Sequence, residues 1–189
     1  MIGSDHPFHF LSSLFDSEDS SFCFSKYIYL PDSPLDEREI FSIRGIDITL
    51  PLVEQIIASL GADQELAIHS TVRLKGRNYH IPMIDFSMTE DIGGKVFDRM
   101  SRYLNKSLLL NMAFYKSGRS FHAYSTTLLT PKEWIDFMGR LLLINPANKE
   151  SIVDSRWIGH RLIGGFGSLR WSNNSGTYLG SPARTKFPC

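Results

Sequence analysis

A histidine and two aspartates, each beside an apolar stretch, are the residues of this chain best suited to chemistry. His122 ends the run SGRSFH at residues 117–122. The small residues and the cation of this run lie between two apolar stretches of the sequence. Asp85 lies in the apolar run 81–88, and Asp154 directly follows another apolar pair. An aspartate that closes a hydrophobic strand is costly unless a cation meets it. The pattern therefore predicts an imidazole that faces a phosphate, and two carboxylates that need a cationic partner.

The elements around these residues are predicted from apolar runs and turn residues. Strands over about residues 65–74 and 78–87 are joined by a short turn containing glycine, which puts Asp85 near a strand end. The apolar stretches 108–115 and 121–128 flank the SGRS turn and have the pattern of a β-hairpin. His122 would then lie at the start of the second hairpin strand.

Caps and apolar spacing predict helices at about residues 50–60 after Thr49, at about 90–105 after Thr89, and from 131 to Pro146. The third has the clearest signal, because Thr130 and Glu133 match a capping box. The glycine-rich tail, residues 154–189, is interpreted as short strands and loops. Strands and helices thus alternate, which is typical of the α+β or mixed α/β class.

Bulk composition indicates a folded protein of modest size. With 189 residues and 42% hydrophobic content, the chain has enough apolar residues for a real core. Residues 1–22 are predicted to be an N-terminal extension, and residues 23–189 a single domain. The two cysteines match neither a disulfide framework nor a zinc site. We expect a cytoplasmic or nucleoid-associated protein that is not secreted and does not bind a membrane.

Charge is distributed unevenly along a chain whose net charge is zero. Residues 1–94 contain 6 Lys and Arg against 15 Asp and Glu, and residues 95–189 contain 14 against 5. Such polarity can present a basic face to phosphates. The alternative is that the two halves mix their charges when the chain folds.

The order of these motifs resembles that of the archaeo-eukaryotic primase superfamily. The catalytic core of that family has an Asp-x-Asp/Glu motif at a strand end, a Ser-x-His motif on a later strand and a further Asp. Asp85, His122 and Asp154 stand in these places. Residues 167–174 also look like the Leu-Arg stretch that the family carries downstream. The resemblance spans about residues 81–182.

The resemblance implies a fold and a metal site. The fold would have an N-terminal αβ module beside a module similar to an RNA-recognition fold, with the active site in the cleft between them. Asp85 and Asp154 would bind Mg²⁺ or Mn²⁺. Ser87 stands where the family has its second carboxylate, so we expect weakened metal affinity. Glu90 and Asp91 follow closely and either substitute for it or begin the next helix.

The resemblance also implies a nucleotide site. His122 would contact the phosphates of the incoming nucleotide, with further donors from the hairpin turn and from the Leu-Arg stretch. Other cations are interpreted as solvated surface charges. The predicted nucleotide-binding residues are Ser117, Gly118, Arg119, Ser120, His122, Arg170 and Ser172, with Asn174 as an addition, and the surface cations are Arg156, Arg161, Arg184 and Lys186.

Two functions fit these residues. The first is a metal-dependent nucleotidyltransferase, of the type of a DNA-directed primase or polymerase, that joins NTPs or dNTPs on a nucleic-acid template. DNA replication, repair and defence against mobile elements would all fit such an enzyme. The second is a degenerate primase-like protein that binds nucleotide or nucleic acid without polymerising, as a sensor, regulator or subunit. Expected partners are nucleoside triphosphates, single-stranded nucleic acid and a larger protein such as a helicase, a nuclease or a second primase subunit.

Overall fold

Two antiparallel sheets form the framework of the computed structural model, which describes residues 2–31, 33–89 and 93–185. The first sheet has the order β2-β1-β3-β4, with β8 also paired to β3, and the second has the order β5-β7-β6-β9. The strands are β1 (Ser20–Ile28), β2 (Arg38–Arg44), β3 (Gln64–Leu74), β4 (Arg77–His80), β5 (Met83–Asp85), β6 (Met112–Ser117), β7 (Ser120–Ser125), β8 (Ser168–Arg170) and β9 (Ala183–Arg184).

Six α-helices accompany the sheets in the described part of the chain, which confirms the predicted α+β class. None of these helices is long and apolar enough to cross a membrane. The helices are α1 (Pro7–Leu11), α2 (Leu50–Ala58), α3 (Gly94–Tyr103), α4 (Lys106–Leu110), α5 (Pro131–Ile144) and α6 (Ser155–Gly164).

The predicted caps of α2 and α5 are confirmed. The Thr49 hydroxyl accepts a hydrogen bond from the Leu52 N–H at 3.4 Å. In α5, the Glu133 N–H donates to the Thr130 hydroxyl at 3.3 Å, and the Thr130 N–H donates to the Glu133 carboxylate at 2.8 Å. Each bond satisfies a backbone donor at the helix start that has no partner within the helix.

The single strand predicted over residues 78–87 is wrong, because two strands of different sheets occupy it. Strand β4 pairs with β3, whereas β5 pairs with β7. Pro82 lies between them and has no N–H to continue a ladder. Its carbonyl accepts a hydrogen bond from the Ser125 N–H at 3.1 Å. The proline is therefore the point at which the chain passes from one sheet to the other.

Three further predictions need correction. The stretch 108–115 begins inside helix α4, because the Asn105 side chain caps that helix with bonds to two backbone N–H groups. The tail was predicted to lack helices, yet α6 begins after Asp154 and ends at Gly165, whose φ is +76°. Helix α3 is capped by Gly93 and not by the predicted Thr89, and residues 90–92 of the predicted helix lie outside the described residues.

Two apolar clusters form the core. The first joins α3, α4, α5 and α6 to the second sheet around Trp134 and Phe86. The second is centred on the fully buried Trp171 and includes Phe8, Leu11 and Phe15 from the predicted N-terminal extension. These three residues thus pack against residues far along the chain.

Buried histidines couple the fold to pH. His69 bonds to the Ser25 hydroxyl at 2.8 Å, and His80 bonds to the Ser70 hydroxyl at 2.9 Å. Burial is the main cause that lowers the pKa of His69 to about 3 and of His80 to about 4. Both rings are therefore uncharged in the folded protein at neutral pH.

We expect the free energy of unfolding to fall as the pH drops from 6.5 to 4. In this window the histidines bind protons in the unfolded chain but not in the folded protein. This difference favours unfolding by roughly 1.4 kcal/mol per unit of pKa difference. Urea denaturation at a series of pH values measures the slope. His80→Gln should flatten it, and the exposed His9→Gln should change it far less. An equal slope in wild type and His80→Gln would contradict the prediction.

Candidate functional site

A cleft of about 1020 Å³ lies where residues of both sheets meet. The end of β1 and the segment before β2 form one side, and β5, the β6–β7 hairpin, α6 and β8 form the other. The lining residues used below are Asp36, Arg38, Asp85, Ser87, Ser117, Ser120, His122, Asp154, Arg161, Arg170 and Tyr178.

Strand pairing brings Asp85 and His122 together. Asp85 ends β5 and lies opposite His122 of β7 in the register. The His122 Nε2 and the Asp85 Oδ1 are 3.7 Å apart, and their side chains are 7% and 24% exposed. Two residues that lie 37 positions apart in sequence therefore face the same cleft.

Asp154 joins them through the backbone. Its N–H donates to the Asp85 carbonyl at 2.9 Å. Its side chain caps α6, because Oδ1 accepts hydrogen bonds from the N–H groups of Arg156 and Trp157 at 2.9 and 3.0 Å. The second carboxylate oxygen of Asp154 is not needed for this cap. The helix that sequence reasoning missed thus fixes the position of the second predicted metal ligand.

The electrostatics of this trio are unusual. Burial raises the pKa of Asp85 to about 8, and the charge of Asp154 adds to the rise. Burial, followed by the positive charge of Arg170, holds the pKa of His122 well below its usual value. Near neutral pH, Asp85 is therefore mostly protonated and His122 uncharged, so their contact is not an ion pair. The His122 Nδ1 has no hydrogen-bond partner among the described residues.

The two carboxylates fit a divalent cation. Burial and the charge of Asp154 raise the pKa of Asp85, and a bound cation would favour the ionised form of both carboxyl groups. Mg²⁺ is usually held by one or two carboxylates together with phosphates of the substrate. The described residues contain no group of three or more His, Cys, Asp or Glu suited to a metal. Phosphate and water oxygens would therefore have to complete the coordination.

Ser87 lines the cleft and offers a neutral hydroxyl, a weaker ligand for Mg²⁺ than a carboxylate. Its hydroxyl donates to the Ser151 carbonyl at 2.6 Å, on the exposed side of the chain after β5. Glu90 and Asp91, the predicted substitutes, lie outside the described residues.

Arg170 supplies a buried positive charge to the cleft. The residue is 4% exposed, and its guanidinium donates to the Ser117 hydroxyl at 2.9 Å and to the Gly180 carbonyl at 3.1 Å. It also donates to the Ser172 carbonyl and lies over the Tyr178 ring, 3.9 Å from Cζ to the centroid. None of these partners is a carboxylate, so a phosphate can still pair with the charge.

A comparison with known families identifies the superfamily. A family model described as archaeo-eukaryotic primase 1D-like matches residues 45–183, well over half of the chain. The chain belongs to the archaeo-eukaryotic primase superfamily. No curated protein and no solved structure matches it. The match contains Asp85, His122, Asp154 and Arg170, all of which line the cleft of this primase-like domain.

Two of the four residues in the β6–β7 hairpin turn of the primase-like domain line the described cleft. Ser117 and Ser120 are paired at the strand ends and line the cleft. Gly118, whose φ is +73°, and the exposed Arg119 form the tip and are not among the described lining residues. The Arg119 carbonyl accepts a hydrogen bond from Lys116 Nζ at 3.2 Å. The turn thus brings two of its four predicted nucleotide-binding residues to the site.

Ser172 and Asn174 are bound to other parts of the primase-like domain. Ser172 donates its hydroxyl to the buried Glu65 carboxylate and accepts the Leu66 N–H at 2.8 Å. The Asn174 amide donates to the carbonyls of Gly61 and Gln64 at 2.7 and 3.0 Å. Neither residue is among those that line the described cleft.

Sequence reasoning missed the importance of Glu65, and it treated Arg161 as a surface charge. Glu65 is fully buried, whereas Arg161 is 3% exposed and lines the cleft. Arg161 lies seven residues after Asp154, a spacing that would have put both on one face if helix α6 had been predicted.

The other predicted surface cations differ in their positions. Arg156 donates to the Ser33 carbonyl at 3.0 Å and lines the cleft. Arg184 is exposed and donates to the Tyr115 hydroxyl at 3.2 Å, and Lys186 lies outside the described residues.

Proposed function

We propose that this primase-like domain is a metal-dependent nucleotidyltransferase that joins NTPs or dNTPs on a nucleic-acid template. One observation carries the proposal. Strand pairing sets Asp85 opposite His122, and a backbone bond holds Asp154 beside Asp85, in a cleft that also contains the buried Arg170. Two carboxylates can hold the metal ion that nucleotidyl transfer uses, and an imidazole N–H and a fixed cation can stabilise charge on the phosphates.

Each residue has a part in the proposed reaction. Asp85 and Asp154 would hold Mg²⁺ or Mn²⁺, which neutralises charge on the transferring phosphates and helps ionise the attacking hydroxyl. Arg170 and His122 bind the triphosphate, Arg170 by charge and His122 through a ring N–H. Ser117 keeps the Arg170 guanidinium in place through their 2.9 Å bond. Burial of these donors strengthens their interaction with phosphate, because little water competes.

The proposed reaction forms one bond to phosphorus and breaks another. The hydroxyl oxygen at the end of the growing strand forms a bond to the α-phosphorus of the bound nucleotide. The bond from that phosphorus to the oxygen bridging to the β-phosphate breaks, and pyrophosphate leaves with its electron pair. The proton of the attacking hydroxyl passes to solvent or to a base in the cleft.

A second function is supported by the serine at position 87, where the family has a carboxylate. Ser87 occupies the place of that ligand, and its hydroxyl is bonded to Ser151. A domain with a weak metal site would still bind nucleotide through Arg170 and His122, as a sensor, regulator or subunit. A helicase, a nuclease or a second primase subunit as partner stays a prediction for either function, as does a cytoplasmic or nucleoid location.

His122→Ala is expected to lower incorporation of labelled NTPs and dNTPs on a single-stranded template by about 100-fold, in Mg²⁺ or Mn²⁺. The reason is the loss of a buried phosphate donor, which typically has an effect of this size. Nucleotide affinity, measured by calorimetry with ATP, should fall as well. His9→Ala, which changes an exposed histidine, is the matched control.

The outcome for the wild-type domain separates the two functions. Product that depends on the metal supports the nucleotidyltransferase. No product with either metal, together with ATP binding that needs His122 and persists in EDTA, would reject it and leave the nucleotide-binding protein.

A further inference from the structure

A second cationic cluster lines the cleft, apart from Arg170. Arg38, at the start of β2, donates from Nε to both Asp36 oxygens at 2.8 and 2.9 Å. Arg161, from α6, donates to the same carboxylate through Nη2. Asp36 thus connects two walls of the cleft through two arginines.

This cluster leaves positive charge and donors without partners. Two guanidinium groups share one carboxylate, so the ion pairs described for this cluster leave one positive charge uncompensated. The side chain of Arg161 is 4% exposed, and its Nε and Nη1 have no hydrogen-bond partner among the described residues. Buried donors of this kind nearly always have a partner. Burial and the nearby Arg38 also lower the pKa of Arg161.

The cluster is rigidly built. Arg38 Nη1 donates to the hydroxyls of Ser25 and Ser168 at 3.2 and 3.0 Å. Its Cζ lies 4.2 Å from the centroid of the Tyr27 ring. An arginine that is held in this way loses little entropy when it binds an anion.

Helix α6 sets the position of Arg161 relative to Asp154. Seven residues separate Arg161 from Asp154, which corresponds to about 10 Å along a helix and to nearly the same face. Both residues line the cleft. An anion at Arg161 would therefore bind well to one side of a triphosphate that Arg170 and His122 hold.

We propose that Arg161, together with Arg38 and Asp36, forms a second phosphate subsite that binds a phosphodiester of the nucleic-acid strand. A single uncompensated charge matches the single charge of a phosphodiester, whereas a triphosphate carries several. The inference rests on the proposed function, because it requires a cleft that takes nucleic acid. Its test measures binding alone, so an inactive domain can still confirm or reject it.

Arg161→Met is expected to weaken binding of a single-stranded oligonucleotide about 10-fold, and to leave ATP affinity unchanged. The plot of log affinity against log salt should become less steep by about 0.7, the value for one phosphate contact on a single strand. Fluorescence anisotropy at several salt concentrations gives both quantities. Arg140→Met is the matched control, because Arg140 is half exposed on α5 and pairs with Asp136 outside the cleft.

Asp36→Asn is a second variant, which should change oligonucleotide affinity in the opposite direction and can be used if Arg161→Met does not fold. Removal of the carboxylate leaves both arginines uncompensated, so oligonucleotide affinity should rise and the salt dependence should steepen. Unchanged affinity and slope in the folded Arg161→Met variant, or weaker oligonucleotide binding by Asp36→Asn, would overturn the proposal. A loss of ATP affinity in Arg161→Met would also overturn it, by assigning the subsite to the free nucleotide.

Discussion

Asp85→Asn is expected to abolish nucleotide incorporation, with a loss of at least about 1000-fold. The substitution keeps the size of the side chain and removes the negative charge that would bind the metal ion. Amide oxygens are weaker ligands for Mg²⁺ than carboxylates, and Asp154 alone would remain. Labelled-nucleotide incorporation with Mg²⁺ and Mn²⁺ measures the loss, and oligonucleotide binding should persist.

The same variant should not be less stable than the wild type above pH 8. The pKa of Asp85 is raised from 3.8 to about 8 in the folded protein, so this carboxyl destabilises the fold progressively as the pH rises between these two values, and fully above pH 8. Asparagine carries no charge to bury. We therefore expect Asp85→Asn to have the higher free energy of unfolding at pH 9 and a smaller advantage at pH 6. Thermal and urea unfolding test this directly.

The exposed Asp98→Asn is the control for both measurements, because it makes the same chemical change on the surface of α3. Full activity of a folded Asp85→Asn protein would contradict the proposed role of Asp85. Lost activity together with a large loss of stability would assign that residue a structural role instead.

Glu65→Gln is expected to lower the free energy of unfolding by about 3 kcal/mol. The Glu65 carboxylate is fully buried and accepts hydrogen bonds from the Ser172 hydroxyl, from the Asn174 N–H at 3.0 Å, and from the Ser175 N–H and hydroxyl at 2.9 and 2.7 Å. Burial alone would raise the pKa of Glu65, but these donors outweigh it and lower the pKa. An amide would turn an NH₂ group toward donors and leave them unsatisfied.

The effect should extend to the cleft. Ser172 lies two residues after Arg170, and its carbonyl accepts a bond from the Arg170 guanidinium. Release of Ser172 from Glu65 would loosen that arginine, so ATP affinity should fall in Glu65→Gln. Urea unfolding and calorimetry measure the two effects. Glu39→Gln, on the exposed face of β2, should change stability by less than about 0.5 kcal/mol, and a similar small change in Glu65→Gln would refute the prediction.

Local signals predicted much of the secondary structure. The caps Thr49 and Thr130 satisfy backbone donors of their own helices, so the information lies within a few residues. The β6–β7 hairpin was predicted for the same reason, since Gly118 permits the positive φ of its turn. The sequence predictions failed where one local pattern is compatible with two structures. Asp154 was interpreted as a strand end, although an aspartate followed by ten helical residues is also a helix cap.

The sequence by itself determined the α+β class, the superfamily and four residues that line the cleft, because the order of Asp85, His122, Asp154 and Arg170 is carried by motifs. Only the tertiary structure decided how they meet. Strand register sets Asp85 against His122, and the crossing at Pro82 brings β5 into the second sheet. Only the fold buries Arg161 beside Asp36, 125 positions away. Such contacts depend on packing between distant segments, which no local pattern specifies.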